Sequence, residues 1–176
     1  MRRIIATLGI TALALSTGCS GDSEQVQKLR DALGKAELSL ADSVSVAELE
    51  TSQGIGLRAA LRVDADPVFA VGALSSDALK DVRVDIVSGQ VLSMKTSAQS
   101  AQVCGESVSL NDAIAAAEAA VGGEAVSVEP DDDGQCNREV KVITSDSLWE
   151  VKVGPDGSIV GAPEEEDGAD EEEEQD

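Results

Sequence analysis

Ser109-Leu110-Asn111-Asp112-Ala113-Ile114-Ala115-Ala116-Ala117-Glu118-Ala119-Ala120-Val121-Gly122-Gly123 reads as one helix with both ends marked. Ser109 is an N-cap candidate, and Asp112 three residues on makes an approximate capping box with Asp in place of Glu. Leu110, Ile114, Ala117 and Val121 recur at helical spacing, and Gly122-Gly123 stops the run. Downstream the period changes to two. Residues 125–129 form a short strand with Val126 and Val128 pointing one way, and Asp131-Asp132-Asp133-Gly134 is turn chemistry. Residues 139–144 alternate with Val140 and Val142 inward. Residues 148–153 place Trp149, Val151 and Val153 on one face and Glu150 and Lys152 on the other. After the turn Gly154-Pro155-Asp156-Gly157, Ile159-Val160 closes the unit. The order predicts a helix covering the apolar face of an antiparallel sheet, with Trp149 as its largest filler rather than a ligand platform.

The same plan occurs earlier in the chain. Ser39-Leu40-Ala41-Asp42-Ser43-Val44-Ser45-Val46-Ala47-Glu48 aligns without gaps on residues 109–118, an offset of 70. Ser88-Gly89-Gln90-Val91-Leu92 matches Asp156-Gly157-Ser158-Ile159-Val160 at an offset of 68. Two landmarks at nearly equal offsets indicate an internal duplication. The first helix is the weaker, because Val44, Val46 and the serines around them have poor helix propensity. Its strands are clearer: Ile55, Leu57, Ala59, Leu61 and Val63 alternate with Gly56, Arg58, Ala60 and Arg62. Residues 67–74 and a strand around Val82, Val84 and Ile86 follow, and Gly89 marks a turn. Upstream, Val26, Leu29 and Leu33 share one face of a short helix over residues 23–34, the alternative being a flexible tether. Residues 96–102, rich in Ser, Ala and Gln, suit a linker.

These readings divide the chain into a leader (1–18), a tether with helical character (19–36), a degenerate module (37–93), a linker (94–105), a second module (106–162) and a disordered acidic tail (163–176). The fold class is α+β: two small modules, each a helix on a three- to four-stranded antiparallel sheet. A module of ~50–60 residues has a marginal core, which gives Cys104 and Cys136 a purpose. A helix rises ~1.5 Å per residue and the next strand returns at ~3.3 Å per residue. The loop holding Cys136 therefore falls near the helix start, just after Cys104. A disulfide closing a loop of roughly 30 residues adds ~2–4 kcal/mol; the alternative is two reduced, buried thiols.

The leader sets the compartment. Met1-Arg2-Arg3 is a short cationic start, Ile4 to Leu15 is apolar, and Ser16-Thr17-Gly18-Cys19 ends in a thiol. The apolar stretch is too short to span a bilayer and has the layout of a secretory signal. It resembles the bacterial lipobox, although Leu15 lies four residues before Cys19 and Ser16 occupies the usual leucine position. That resemblance implies cleavage before Cys19 and lipid on its sulfur, so the membrane is a partner through Cys19. With Ser20 and not Asp next, it implies delivery to the outer membrane in a two-membrane bacterium, and otherwise to the outer face of the cell membrane. An ordinary signal peptide cut nearby is the alternative.

Removing the leader leaves 34 acidic residues against 11 basic ones, a net charge of −23, of which residues 164–176 carry −10. Such a surface repels nucleic acid. The chain has no His and no Tyr, and Phe69 and Trp149 are its only aromatic residues. His-assisted nucleophiles and His-based zinc sites are therefore excluded. No catalytic residue, cofactor, metal site or small-molecule substrate is expected, and the chain does not read as an enzyme. Glu129, Asp131 and Asp133-Gly134 mimic the opening of a calcium loop. The bidentate acid such a loop needs at position 12 is Val140 here, so a hairpin turn is the better reading.

Residues 106–162 resemble a PepSY domain: the Ser109–Gly123 helix, the acidic turn, two alternating strands and Pro155-Asp156-Gly157-Ser158-Ile159-Val160. Residues 37–93 match more weakly. The resemblance implies a non-catalytic, lipid-anchored protein of the cell envelope that binds or inhibits an extracytoplasmic protease. It supplies no binding residue. The alternative is a sensory or structural envelope protein whose acidic surface and tail bind cations.

Overall fold

The computed structural model describes residues 21–76, 78–97, 108–131 and 135–166. The leader, Cys19 and Cys104 lie outside the described residues. In chain order the elements are α1 (Gly21–Leu33), α2 (Leu40–Glu50), β1 (Ile55–Arg62), β2 (Val68–Ser75), β3 (Ala78–Asp85), β4 (Val91–Thr96), α3 (Leu110–Val121), β5 (Glu124–Pro130), β6 (Arg138–Ile143), β7 (Leu148–Val153) and β8 (Glu164–Glu165). The strands form one antiparallel sheet in the order β4-β3-β2-β1-β5-β6-β7-β8. The chain is thus α+β, with a helix and antiparallel strands in each half. The halves are joined edge to edge through β1 and β5.

Both principal helices begin as their sequences direct. Ser109 Oγ accepts from the Asp112 amide at 3.1 Å. The first helix, weaker by propensity, has the more complete cap: Ser39 Oγ accepts from the Asp42 amide, and Asp42 Oδ2 accepts from the Ser39 amide. Capping satisfies amides that the first turn leaves without partners, and here it offsets the valines and serines. Leu40, Ser43, Val44 and Ala47 are buried on α2, and Leu110, Ala113, Ile114 and Ala117 on α3, at an offset of 70 in every case.

The strands repeat at 69. Ala59 pairs with Val71 and Val71 with Val82; Val128 pairs with Val140 and Val140 with Val151. A bulge interrupts β1 between Gly56 and Arg58 and β5 between Ala125 and Ser127, breaking the alternation expected through Val126. In both halves the helix glutamate caps the amide at the bulge: Glu48 Oε1 accepts from Gly56 N, and Glu118 Oε1 from Ala125 N, each at 2.9 Å. The step from 70 to 69 is one residue in the helix-to-strand loop. Gly122, at φ 74°, corresponds to Gln53 at φ 63°, and Ser52 is the extra residue. A Cβ at Gly123 would lie 2.3 Å from Ile143 O, and one at the equivalent Gly54 would lie 2.7 Å from Leu74 O.

One cluster of buried side chains runs through both halves. Its largest fully buried member is Phe69, followed by Leu40, Leu110 and Ile114. Trp149 shares the helix-facing side with Val142, as the alternation predicts, but it is only half-buried and outside this cluster, so it is not the largest filler. It lies on β7, and its register partners are Val142 and Glu165 on the outermost strand. The largest fully buried side chain is instead Phe69 on β2.

Leu29 and Ala32 of α1 are buried in the cluster, and Arg30 Nε donates to Thr144 O at 3.3 Å, so the short helix read over residues 23–34 forms and packs, against the flexible-tether alternative. Two boundaries differ from expectation. β4 runs to Thr96, inside the expected linker, because Asp81 and Lys80 of β3 pair with Lys95 and Thr96. Glu164 and Glu165 pair with β7, so the acidic segment begins on the sheet. No described helix is long and apolar enough to cross a membrane.

Candidate interaction surface

The junction between the halves is made largely by the backbone. Ala59 and Ala60 of β1 pair with Val128 and Ser127 of β5. Farther along β5, Pro130 has no N–H to extend the ladder. Arg138 Nη1 instead donates to Leu57 O at 2.8 Å. Arg138 is buried, and burial lowers its pKa from the ordinary guanidinium value. Above the junction, Asn111 Nδ2 of α3 donates to Ser45 Oγ of α2 at 3.0 Å.

Helices α2 and α3 cover one face of the sheet, and the opposite face is a broad concavity bordered by Leu29, Leu148 and Glu166. Residues opposite one another in register share a face, so the occupants of this open face can be read strand by strand. The first half presents Arg58 and Arg62 on β1, Asp81, Arg83 and Asp85 on β3, and Lys95 on β4, over a floor of Ala60, Ala70 and Gly72. A Cβ at Gly72 would come within 2.8 Å of Arg58 Cγ. Glycine there lets Arg58 lie across β2 and reach Asp81 Oδ1 at 3.0 Å. Arg62, Arg83 and Lys95 are exposed.

The second half has the opposite balance. Glu129, Asp131, Glu139, Glu150, Glu164 and Glu166 face Lys141 and Lys152. At equivalent positions Arg62 becomes Asp131, Lys95 becomes Glu164, Ala60 becomes Glu129, and Ala70 becomes Glu139. Burial raises the Glu139 pKa, and the charges of Glu150, Glu129 and Asp131 raise it further against the pull of Lys141. Burial of Lys141 opposes its charge, but the hydrogen bond and charge of Glu166, with Glu139 and Glu150, outweigh it and raise its pKa. Asp131, 8% exposed, pairs with Lys152 Nζ at 2.5 Å. That pairing accounts for one carboxylate of the calcium-loop mimic; residues 132–134 lie outside the described residues. Among the described residues no group of His, Cys, Asp or Glu is arranged to hold a metal ion.

Of the residues singled out in the sequence, Cys136 is described, at φ 62° just before Asn137. The structure does not bring Cys19 or Cys104 into view. The open face was not singled out at all. Its signal was present, however: the outward positions of the alternating strands carry arginines in one half and glutamates in the other.

A PepSY family profile, described as "Peptidase propeptide and YPEB domain", matches residues 107–160, so the second half carries a PepSY domain. No curated protein matches the chain significantly. Among solved structures, a Clostridium difficile 630 protein described as a candidate lipoprotein is similar, with a TM-score of 0.45 at 14% identity, over 74% of this chain and 95% of its own.

Proposed function

We propose that this chain is a non-catalytic, lipid-anchored protein of the bacterial cell envelope that binds and restrains an extracytoplasmic protease. The observation that carries the reading is the PepSY match over residues 107–160, a domain described from peptidase propeptides. The first half is a second, degenerate copy, a reading supported by the matching burial on α2 and α3 and by the equivalent bulges. Lipid on Cys19 holds the chain to the membrane, and a Cys104–Cys136 disulfide ties the linker to the β5–β6 loop.

The outer side of β4 pairs with nothing among the described residues, and Leu92 and Met94 on this strand are exposed. A partner strand added there would gain main-chain hydrogen bonds and apolar contacts. The opposite edge is capped by β8, where Ser147 Oγ donates to Glu165 and Lys141 to Glu166.

Pull-down of the full chain from native membranes should recover a protease, and adding the chain should lower that protease's activity. Recovery of no protease, with no change in the activity of secreted proteases, removes this reading. Cys19→Ser should release the chain from the membrane fraction; retention would refute the lipid anchor.

A further inference from the structure

Two ion pairs on the open face each skip a strand. Arg58 on β1 reaches over Gly72 of β2 to Asp81 on β3, and Lys141 on β6 reaches past β7 to Glu166, which follows β8. Two strand spacings are about 9.6 Å, which a long cation spans together with its carboxylate partner. Arg83 on β3 is the same single strand away from the outer side of β4. Its register neighbour on β4 is the small Ser93, and it has no carboxylate partner among the described residues. Lys95 is exposed on the same face, and its register partner Asp81 is already held by Arg58. The other face of β4 is apolar, for Met94, opposite Val82, is exposed. A bulge leaves Leu92 out of register, so the regular edge is residues 93–96. Ser97 N donates to Leu79 O. By the alternation of an antiparallel ladder, Lys95 and Ser93 also bond inward, and the N–H and C=O of Met94 and Thr96 point outward.

We propose that the outer edge of β4 selects a partner strand in which two acidic residues flank an apolar one, a specificity that rests on the reading of β4 as the docking edge. An added strand bonds its backbone to Met94 and Thr96, and its side chains alternate as those of β4 do. The residue beside Met94 falls on the helix side, where an apolar side chain covers the exposed thioether. The residues before and after it fall on the open face, one beside Lys95 and one beside Ser93, within the span of Arg83. The second half shows the same arrangement already filled. There Glu164 and Glu166 flank Glu165 at the outermost strand, and Lys141 crosses one strand to hold Glu166. A second copy of this chain is disfavoured at the edge. Two β4 strands side by side would bring Arg83 and Lys95 of both copies together, and like charges across a strand pair repel. The whole chains, at −21 each, repel as well.

The test is an NMR titration of the isotope-labelled full chain with a peptide of alternating glutamate and valine, and with the same peptide carrying glutamine or lysine for glutamate. Amide signals of Met94 and Thr96 should shift, and their exchange with water should slow. Two exposed ion pairs change affinity by roughly fivefold, so the glutamate peptide should bind about fivefold tighter than the glutamine one. The lysine peptide should bind more weakly still. R83Q/K95Q, with thermal unfolding to confirm the fold, should abolish the preference, and R83E/K95E should transfer it to the lysine peptide. Thr96→Pro removes an outward N–H without touching the ladder to β3 and should weaken all three peptides. Equal binding of the glutamate and lysine peptides overturns the proposal, as does binding of none, or a pattern of shifts centred away from β4. Met94 and Thr96 signals that broaden with chain concentration alone would assign the edge to a second copy and overturn it too. No protease takes part in the titration, so its failure is distinct from that of the pull-down. A recovered protease restrained equally by R83Q/K95Q keeps the protease reading and removes this specificity, whereas a glutamate preference without a recovered protease does the reverse.

Discussion

The two halves of this molecule agree inside and disagree outside. Toward the helices, the buried positions of α2 and α3 coincide residue for residue at an offset of 70, and each half has a helix glutamate that caps its bulge. On the open face two equivalent positions reverse charge, Arg62 against Asp131 and Lys95 against Glu164, whereas Arg83 and Lys152, and Asp81 and Glu150, keep theirs. Close packing makes an interior position sensitive to a single methylene, whereas a solvated strand face accepts either sign as long as the alternation holds. The shared interior therefore fixes the backbone, and the open face is where the halves differ in what they can bind.

The largest expected break in the shared interior is at position 69. Phe69→Ala should cost about 3–5 kcal/mol, because this ring is the largest fully buried side chain. At the equivalent position Arg138→Ala should cost less, about 1–3 kcal/mol, through the lost bond to Leu57 O. Denaturant unfolding of the two variants checks the order; an equal or reversed cost would mean that the halves do not share one core. Next come the bulge glutamates. Glu48→Ala and Glu118→Ala should each cost about 1–3 kcal/mol by stranding an amide. Loss of stability in one but not the other would break the equivalence of the two bulges.

A smaller effect separates the outer faces. The Glu139 pKa is raised in the folded chain, so that state binds its proton more tightly than the unfolded chain does. As pH falls through the raised pKa toward the ordinary 4.5, this residue adds stability, and above that window its charge is a cost. Glu139→Gln should therefore raise stability near neutral pH by roughly 0.5 kcal/mol, discounted for its partial exposure, and the gain should fade as the solution is acidified. Thermal unfolding against pH reads this directly; a gain that persists under acid would assign it to something other than charge. The smallest effect is at Gln53, which holds the left-handed conformation that Gly122 holds in the other half. Gln53→Gly should add up to about 1 kcal/mol, measured by chemical denaturation, whereas Gly122→Gln should subtract a similar amount.

Much of this was legible in the chain itself. Ser39 and Ser109 marked the helix starts, the alternating valines gave the strands, and the two offsets of 70 and 68 enclosed the true strand offset of 69. Less was legible at the site. The bulge glutamates stood at the end of the aligned helices, but nothing local shows that their carboxylates receive an amide seven or eight residues on. Trp149 followed the inward alternation and is half-buried nonetheless, because alternation reports a face of the sheet and not how far the helices extend over it.

By itself the sequence determined the local elements, their order and the likeness of the halves, since caps, periodicity and turns are encoded within a few residues. Only the tertiary structure decided that β1 meets β5, that Phe69 and not Trp149 is fully buried, and that four cations and six carboxylates end up on opposite halves of one surface. The physical reason lies in the joint. Strands pair through N–H and C=O groups that nearly every residue carries, so the side chains of β1 and β5 hold little record of which edge will meet which.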